Sequence, residues 1–309
     1  MSPIPSPSVR LEHDASATLA RFAFGDDADG DALGVPLVRL FGASYETWFA
    51  STAASAHEQD GLRIRQNGQW LIGELRVDAA RSEDIEQAAF DAYTRLRAFI
   101  TTSAYPQLLR VWNFFDRLNE GEGDAERYRR FCVGRHRAIA APGFETQLPA
   151  ATVIGGQTPG LVISFLAGRE AGVQVENPRQ TPAFRYPRDY GPISPSFSRA
   201  TRIGSHLLVS GTAAVVGHAT LHPGDAVAQI DEIDANVDAL LEHAAAGQPG
   251  RWEAQALRLY VRRDADLPAV LPRVLERFGA EVPITVLRGD ISRAGLVVEI
   301  EGVWTFLPA

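Results

Sequence analysis

Glu299 is the residue in this chain best placed to do acid–base chemistry, because it is a carboxyl group inside an otherwise apolar run, Leu296-Val297-Val298-Glu299-Ile300. If the strand buries it, its charged form is disfavoured and it can keep a proton to donate near neutral pH. The competing reading is a solvent-facing strand residue, since period-two alternation puts Glu301 on the same side. The second chemical feature is a set of arginines interleaved with aromatic and small polar residues. Phe184-Arg185-Tyr186-Pro187-Arg188-Asp189-Tyr190-Gly191-Pro192-Ile193-Ser194-Pro195-Ser196-Phe197-Ser198-Arg199 holds several, Arg135 ends a helical stretch and Arg262 ends a strand. A guanidinium is a planar fork that grips a carboxylate at two points, so converging arginines point to a small acid with more than one carboxylate. Taken singly, each arginine is as readily a surface ion pair.

Other chemistries are excluded or find poor support. All 30 basic residues are arginine, so lysine Schiff bases, pyridoxal-phosphate attachment and a P-loop lysine are ruled out. The net charge of -8, with no basic run, argues against nucleic acid as the main partner. His218 and His222 are followed at once by Pro223 and Gly224 and have no cluster of other ligands beside them, so they read as loop residues and no metal is expected. Gly155-Gly156 with Gly160 reads as a turn between strands with no helix after it, a poor dinucleotide loop. No Gly-x-Ser-x-Gly elbow is present. Cys132, between Phe131 and Val133 in mid-helix, reads as a buried thiol, and a single cysteine fits a reducing cytoplasm.

The elements that must position these residues are written twice. Strand 69–75, a helix over 83–100 with Ile85, Ala89, Tyr93, Leu96 and Ile100 on one face and Ser82 as N-cap, strand 108–112, a helix over 125–136, and strands 152–154 and 161–166 form one copy. Strand 206–210, a helix over 226–243 with Val227, Ile230, Ile233, Val237 and Leu241 on one face, strand 256–261, a helix after Asp266, and strands 284–287 and 296–300 form the other. Only the second copy has a carboxylate in its last strand, where the first has Ser164. The pattern predicts an α+β protein of two similar units, each a mixed sheet with helices on one face. The expected boundaries are a disordered segment over 1–31, a first domain over 32–170, an ordered connector over 171–198 that contributes to the site, and a second, catalytic domain over 199–309. With 309 residues, 45% hydrophobic and 22% charged, both cores can form, and no apolar run approaches membrane-spanning length. A duplicated chain could complete within itself an interface that single-domain proteins make between subunits, so the expected state is a monomer or small homo-oligomer.

Several separated motifs carry a family resemblance. Trp112-Asn113 with Asn119-Glu120, the run Glu126 to Arg135, Tyr186-Pro187-Arg188 through Tyr190-Gly191-Pro192, Ser194 to Ala200, Ser210-Gly211-Thr212-Ala213 and Val297 to Gly302 are similar to the chorismatase family over about residues 105–305. The resemblance implies tandem units like the RidA/YjgF domain and the trimeric chorismate mutases. It also implies an enzyme that removes pyruvate from chorismate without metal or organic cofactor. Glu299 then stands as the acid that protonates the enol methylene. Arg135, Tyr190, Arg199 and Arg262 resemble substrate-binding positions, and Ala213 and Ser292 resemble the small positions that steer product choice. Ser292 departs from the cysteine frequent in members that make 3-hydroxybenzoate, which favours a mixture of 3- and 4-hydroxybenzoate, with a dihydrodiol-forming hydrolase as the alternative. Outside the family, a RidA-like imine deaminase and a non-catalytic metabolite-binding module are the other readings.

Overall fold

The two runs of elements fold into two sheets with the same strand order in the computed structural model, which describes residues 6–12, 14–25, 30–140 and 144–309. From one edge, the first sheet runs Ala150–Gly156, Gln107–Asp116, Leu161–Gly168, Trp70–Val77, Leu62–Gln66 and Ser55–Gln59. The second runs Ile284–Arg288, Gly250–Val261, Val298–Pro308, His206–Thr212, Ala200–Ile203 and Val173–Val175. In each of these six-strand runs the first pair is parallel and the next pair antiparallel. A parallel pair needs a crossover, and in each unit a helix supplies it: Arg127–Ile139 in the first, Leu267–Phe278 in the second. The expected duplication and α+β class therefore hold strand by strand.

One face of each sheet is covered by helices. Ile85, Ala89, Tyr93, Leu96 and Ile100 all bury against the first sheet. On the second, Ile230, Ile233 and Val237 bury as expected, but Val227 is exposed and Ala226, Leu240 and Ala244 complete the stripe. The helix Ile85–Thr102 is capped by Asp84, which accepts from the Gln87 N–H, rather than by Ser82, which ends a one-turn helix at Ala79–Ser82. Among the described residues no helix is long and apolar enough to cross a membrane.

The faces without helices turn toward each other and share a middle core. Trp112, Phe114 and Ile154 of the first sheet, and Leu208, Tyr260 and Leu287 of the second, belong to one buried cluster. A third layer enters it. Ser8–Arg10, Tyr45–Ala50, Ala17–Phe24 and Leu33–Val35 form a four-stranded sheet in that order. Phe22, Trp48 and Trp112 meet at ring distances of 5.3 to 6.3 Å, in tilted and edge-on pairs of a kind that contributes about 1 kcal/mol each.

The disordered segment expected over 1–31 is thus corrected for 6–12 and 14–25, which supply strands and fully buried Phe22 and Phe24. The short apolar runs Leu19-Ala20 and Phe22-Ala23-Phe24 were the available signal. Pro3, Pro5 and the acidic run Asp26-Asp27-Ala28-Asp29 lie outside the described residues. The structure also distributes the boundaries differently. The first duplicated unit begins at Ser55, because Leu33–Val35 and Tyr45–Ala50 join the N-terminal sheet and Arg39–Phe41 extends the second sheet beyond Ile284–Arg288. The connector contributes Val173–Val175 to the second sheet before two short turns at Ala183–Arg185 and Arg188–Tyr190.

Candidate active site

Alternation along Val298–Pro308 sends Val298 and Ile300 to the helix side, and Glu299, Glu301 and Val303 to the middle layer. Glu299 is 6% exposed, so the solvent-facing reading does not hold. Burial, and then the neighbouring Glu301 carboxylate, push its pKa up to about 8 against the pull of Arg110 and Arg199. Its carboxyl group rests against the backbone of Gly211, where a Cβ would lie 1.9 Å from Glu299 Oε1. Glycine at 211 is therefore a space requirement of the carboxyl group. At the matching place in the first copy, Ser164 is buried with an unpartnered hydroxyl.

Beneath Glu299 lies a closed set of charges. The Glu301 carboxylate accepts from Arg110 NH2 at 2.5 Å, Trp112 Nε1 at 2.8 Å, Tyr260 OH at 2.9 Å and Arg258 NH1 at 3.3 Å, and from the Thr152 hydroxyl. Arg110 and Arg258 sit at corresponding places in the two copies, each two residues before an aromatic donor to Glu301, Trp112 or Tyr260. Arg258 also forks onto Glu46 at 2.6 and 3.0 Å, and the Trp48 indole donates to the same carboxylate at 2.8 Å. Thr152 links the set to the site, accepting from Arg110 NH2 at 2.6 Å and from the Gly211 N–H at 2.9 Å.

Above Glu299 a cavity of about 400 Å³ opens between the sheets and under the connector, a size that suits a small metabolite. Tyr190, Arg199, Ala213 and Ser292 line it with Glu299. Arg199 is 5% exposed; its NH2 donates to Tyr186 OH at 2.7 Å and to the Thr181 carbonyl at 2.9 Å, and its Nε is buried without a partner. Tyr190 stacks obliquely on Tyr186 and meets His218 edge-on.

The other two expected binding arginines do not line the cavity. Arg262 works behind its wall, donating to Asn119 Oδ1 at 3.1 Å and to the carbonyls of Ile291 at 2.7 Å and Arg293 at 3.1 Å, so it braces the loop that carries Ser292. Arg135 is buried with its guanidinium 4.9 Å from the centre of the Tyr93 ring. Helix periodicity turns it toward the first unit's core. Arginines that do reach the cavity are Arg129, held by Glu126 at 3.1 Å, and Arg293, 4.2 Å from the centre of the Tyr190 ring. Sequence reasoning did not single these out as ligands, nor Arg110, Arg258 and Glu46. A charged residue inside each apolar strand, Arg110 in Leu108–Trp112 and Arg258 in Ala256–Val261, was the available signal.

The remaining candidates have structural settings. Cys132 is buried, and burial pushes its thiol up to about 12. His218 packs on Tyr190, while His222 lies 4.0 Å from Glu232. Among the described residues no group of three or more His, Cys, Asp or Glu side chains is placed to hold a metal ion. Gly155 and Gly156 end a strand, with Gly155 bridged to Asp290.

Known proteins resemble this chain over most of its length. A family model described as "Chorismatase FkbO/Hyg5-like, N-terminal" matches residues 46–167. A chorismatase of Streptomyces rapamycinicus is 37% identical over 273 residues, covering 84% of this chain and 81% of the relative. A 3-hydroxybenzoate synthase of Streptomyces hygroscopicus is 34% identical over 275 residues, covering 84% and 80%. A chorismatase crystal structure superposes with a TM-score of 0.82 at 32% identity, covering 95% of this chain and 94% of that one.

Proposed function

The chain belongs to the chorismatase family, and we propose that it cleaves the enolpyruvyl ether of chorismate to pyruvate and 3- or 4-hydroxybenzoate, with Glu299 as the proton donor. The observation that carries this reading is a carboxyl group buried on the wall of an arginine-lined cavity, where burial raises its pKa to about 8. Chorismate has a ring carboxylate and an enolpyruvyl carboxylate. Arg199, with its unpartnered Nε, is suited to one, and Arg129 or Arg293 to the other. Tyr190 and Tyr186 supply a flat apolar wall for the ring. Arg262 acts by fixing the loop that carries Ser292, and Arg135 by packing.

Enol ethers are cleaved when an acid protonates the terminal methylene carbon, leaving an oxocarbenium ion. Glu299 supplies that proton and is left as a carboxylate facing the cation. Capture of the ion by the substrate's own neighbouring hydroxyl leads to hydroxybenzoate. Pyruvate and hydroxybenzoate together contain every atom of chorismate, so this route consumes no water and benefits from a site that excludes it. Capture by water instead gives a dihydrodiol. Ala213 and Ser292, both on the cavity wall, are placed to decide between these routes. Ser292, in place of the cysteine, favours a mixture of the two hydroxybenzoates; the dihydrodiol is the alternative should its hydroxyl hold a water in the cavity. Chromatography and mass spectrometry of the products from chorismate decide between them. Activity on 2-aminoacrylate, or saturable binding without pyruvate release, would instead favour the deaminase or the binding module. The free, buried thiol of Cys132 fits a reducing cytoplasmic setting.

Two expectations follow from the acid's surroundings. Because Glu299 must be protonated and its pKa is raised to about 8, kcat/KM should be flat through neutral pH and fall tenfold per unit above about 8. A bound carboxylate offsets the pull of Arg199, so the same limb should lie higher in the profile of kcat. A limb below pH 6 in both profiles would contradict the assignment. In Gly211→Ala the methyl must displace the Glu299 carboxyl; about a 10²-fold loss of kcat with an unchanged circular-dichroism spectrum is expected, as for an angstrom-scale misplacement of a reacting group. Near-normal kcat in that variant would show that the observed carboxyl position is not the working one.

A further inference from the structure

Two arginines and two carboxylates meet in the layer beneath the site, and none of the four lies in the part of the cavity wall above Glu299. Arg110 pairs with Glu301, and Arg258 is shared between Glu301 and Glu46. All four side chains are at most 4% exposed. Their charges cancel within the set. Glu46 comes from Tyr45–Ala50 of the N-terminal sheet, outside the duplicated units.

We infer that Glu301 and Glu46 are positioning residues that act as counter-charges to Arg110 and Arg258, so that no buried guanidinium is left uncompensated to draw the proton off Glu299. The role assigned to the N-terminal sheet is then electrostatic as well as structural: it brings the second carboxylate. With Glu46 present, Arg258 is occupied and Glu301 keeps enough negative charge to oppose ionisation of its neighbour two residues away. With Glu46 neutral, Arg258 would belong wholly to Glu301, and the field at Glu299 would turn more positive. The other groups around Glu299 do not provide this compensation. Arg199, directly after the connector, faces it and pulls the opposite way. Tyr260, on the adjoining strand, donates to Glu301. Thr152, from the facing first sheet, and Gly211, from the adjoining strand, are uncharged. Across the cavity, Arg129 is paired with Glu126, Arg293 lies against Tyr186 and Tyr190, and Asp189 and Tyr128 complete the titratable wall.

The inference rests on Glu299 being the acid of the proposed reaction, but it can be tested without substrate. The carboxyl titration of Glu299 is followed by carbon-13 NMR in free protein labelled at glutamate, with Glu299→Gln to identify the signal. Glu301→Gln and Glu46→Gln should each lower the midpoint by about one pH unit, the size expected for one unit charge at partly screened, sub-nanometre range. Glu46→Gln combined with Arg258→Met restores charge balance and should bring the midpoint back to within a few tenths of the parent. Activity profiles should move likewise, with each single variant recovering turnover at lower pH; a merely structural defect would depress activity at every pH and leave the midpoint in place. Unmoved midpoints in the single variants, or a double variant displaced as far as Glu46→Gln, would overturn the inference. If Glu46→Gln does not fold, Glu301→Gln alone decides it. A lowered midpoint in a protein that does not act on chorismate would leave the charge balance standing and reject the reaction.

Discussion

Glu299→Gln is expected to lose about 10³-fold in kcat on chorismate, within the range supplied by a positioned general acid, while KM changes little, because the amide keeps the shape of the carboxyl but has no proton to give. The same substitution should make the folded protein more stable at neutral and alkaline pH. The folded pKa of Glu299 is raised to about 8 from an ordinary value of 4.5. The unfolded chain therefore gives up this proton at a lower pH than the folded one does. The contribution of the buried acid to stability is complete below the unfolded pKa and is lost as pH rises through the window up to the folded value. At its upper end the loss amounts to a few kcal/mol, at about 1.4 kcal/mol per pH unit. Glutamine removes that dependence. Thermal melts of both proteins should converge at pH 4 to 5, to order of magnitude the unfolded carboxylate range, and separate in favour of the variant toward pH 8. A variant less stable at every pH would show that Glu299 is held as a carboxylate with partners of its own.

Arg258→Ala should have the largest effect on folding. It strands Glu46 with the Trp48 indole as its one remaining donor among the described contacts, and takes one cation from Glu301. Removing one partner of a buried ion pair costs about 3–5 kcal/mol, because the other charge is left in the interior without compensation. Replacing both partners by apolar groups of similar volume avoids that cost, so Arg258→Met with Glu46→Leu should recover most of the loss in urea denaturation. The contrast isolates the uncompensated charge from simple loss of packing. Equal destabilisation in the two variants would mean that the guanidinium matters here chiefly for the volume it fills between Phe22, Phe24 and Trp112.

The scaffold was legible because burial on one face writes a period into each element. The buried side of Ile85–Thr102 and the apolar strands of both copies could be read directly, and with them the repeated order. The N-terminal strands were missed because Ala17–Phe24 shows no clean period: adjacent residues are buried, and the pairing shifts register between Thr18 and Ala20. The added strand Arg39–Phe41 pairs with Ile284–Arg288, a contact across more than two hundred residues that no local pattern encodes. Within the site, Glu299 stood out as a carboxyl in an apolar run, and a raised pKa was the condition set for it. The arginines were harder. Residue type said that carboxylates could be held, but which guanidinium reaches the cavity depends on helix phase and loop path. Arg199 and Arg293 arrive there, Arg135 points into a core, and Arg262 is used up on backbone carbonyls. Glu46 carries no local mark at all, since its partner Arg258 is brought to it only by the packing of the N-terminal sheet on the second unit.

Pyruvate release from chorismate by the purified protein, with no metal or cofactor added and with Glu299→Gln run beside it at the same pH, tests the central claim most directly. The expected result is one pyruvate formed with each hydroxybenzoate in the parent protein, and release reduced about 10³-fold in the folded variant. Absence of pyruvate from folded parent protein, or a variant that releases it at the parent's rate, would contradict the account.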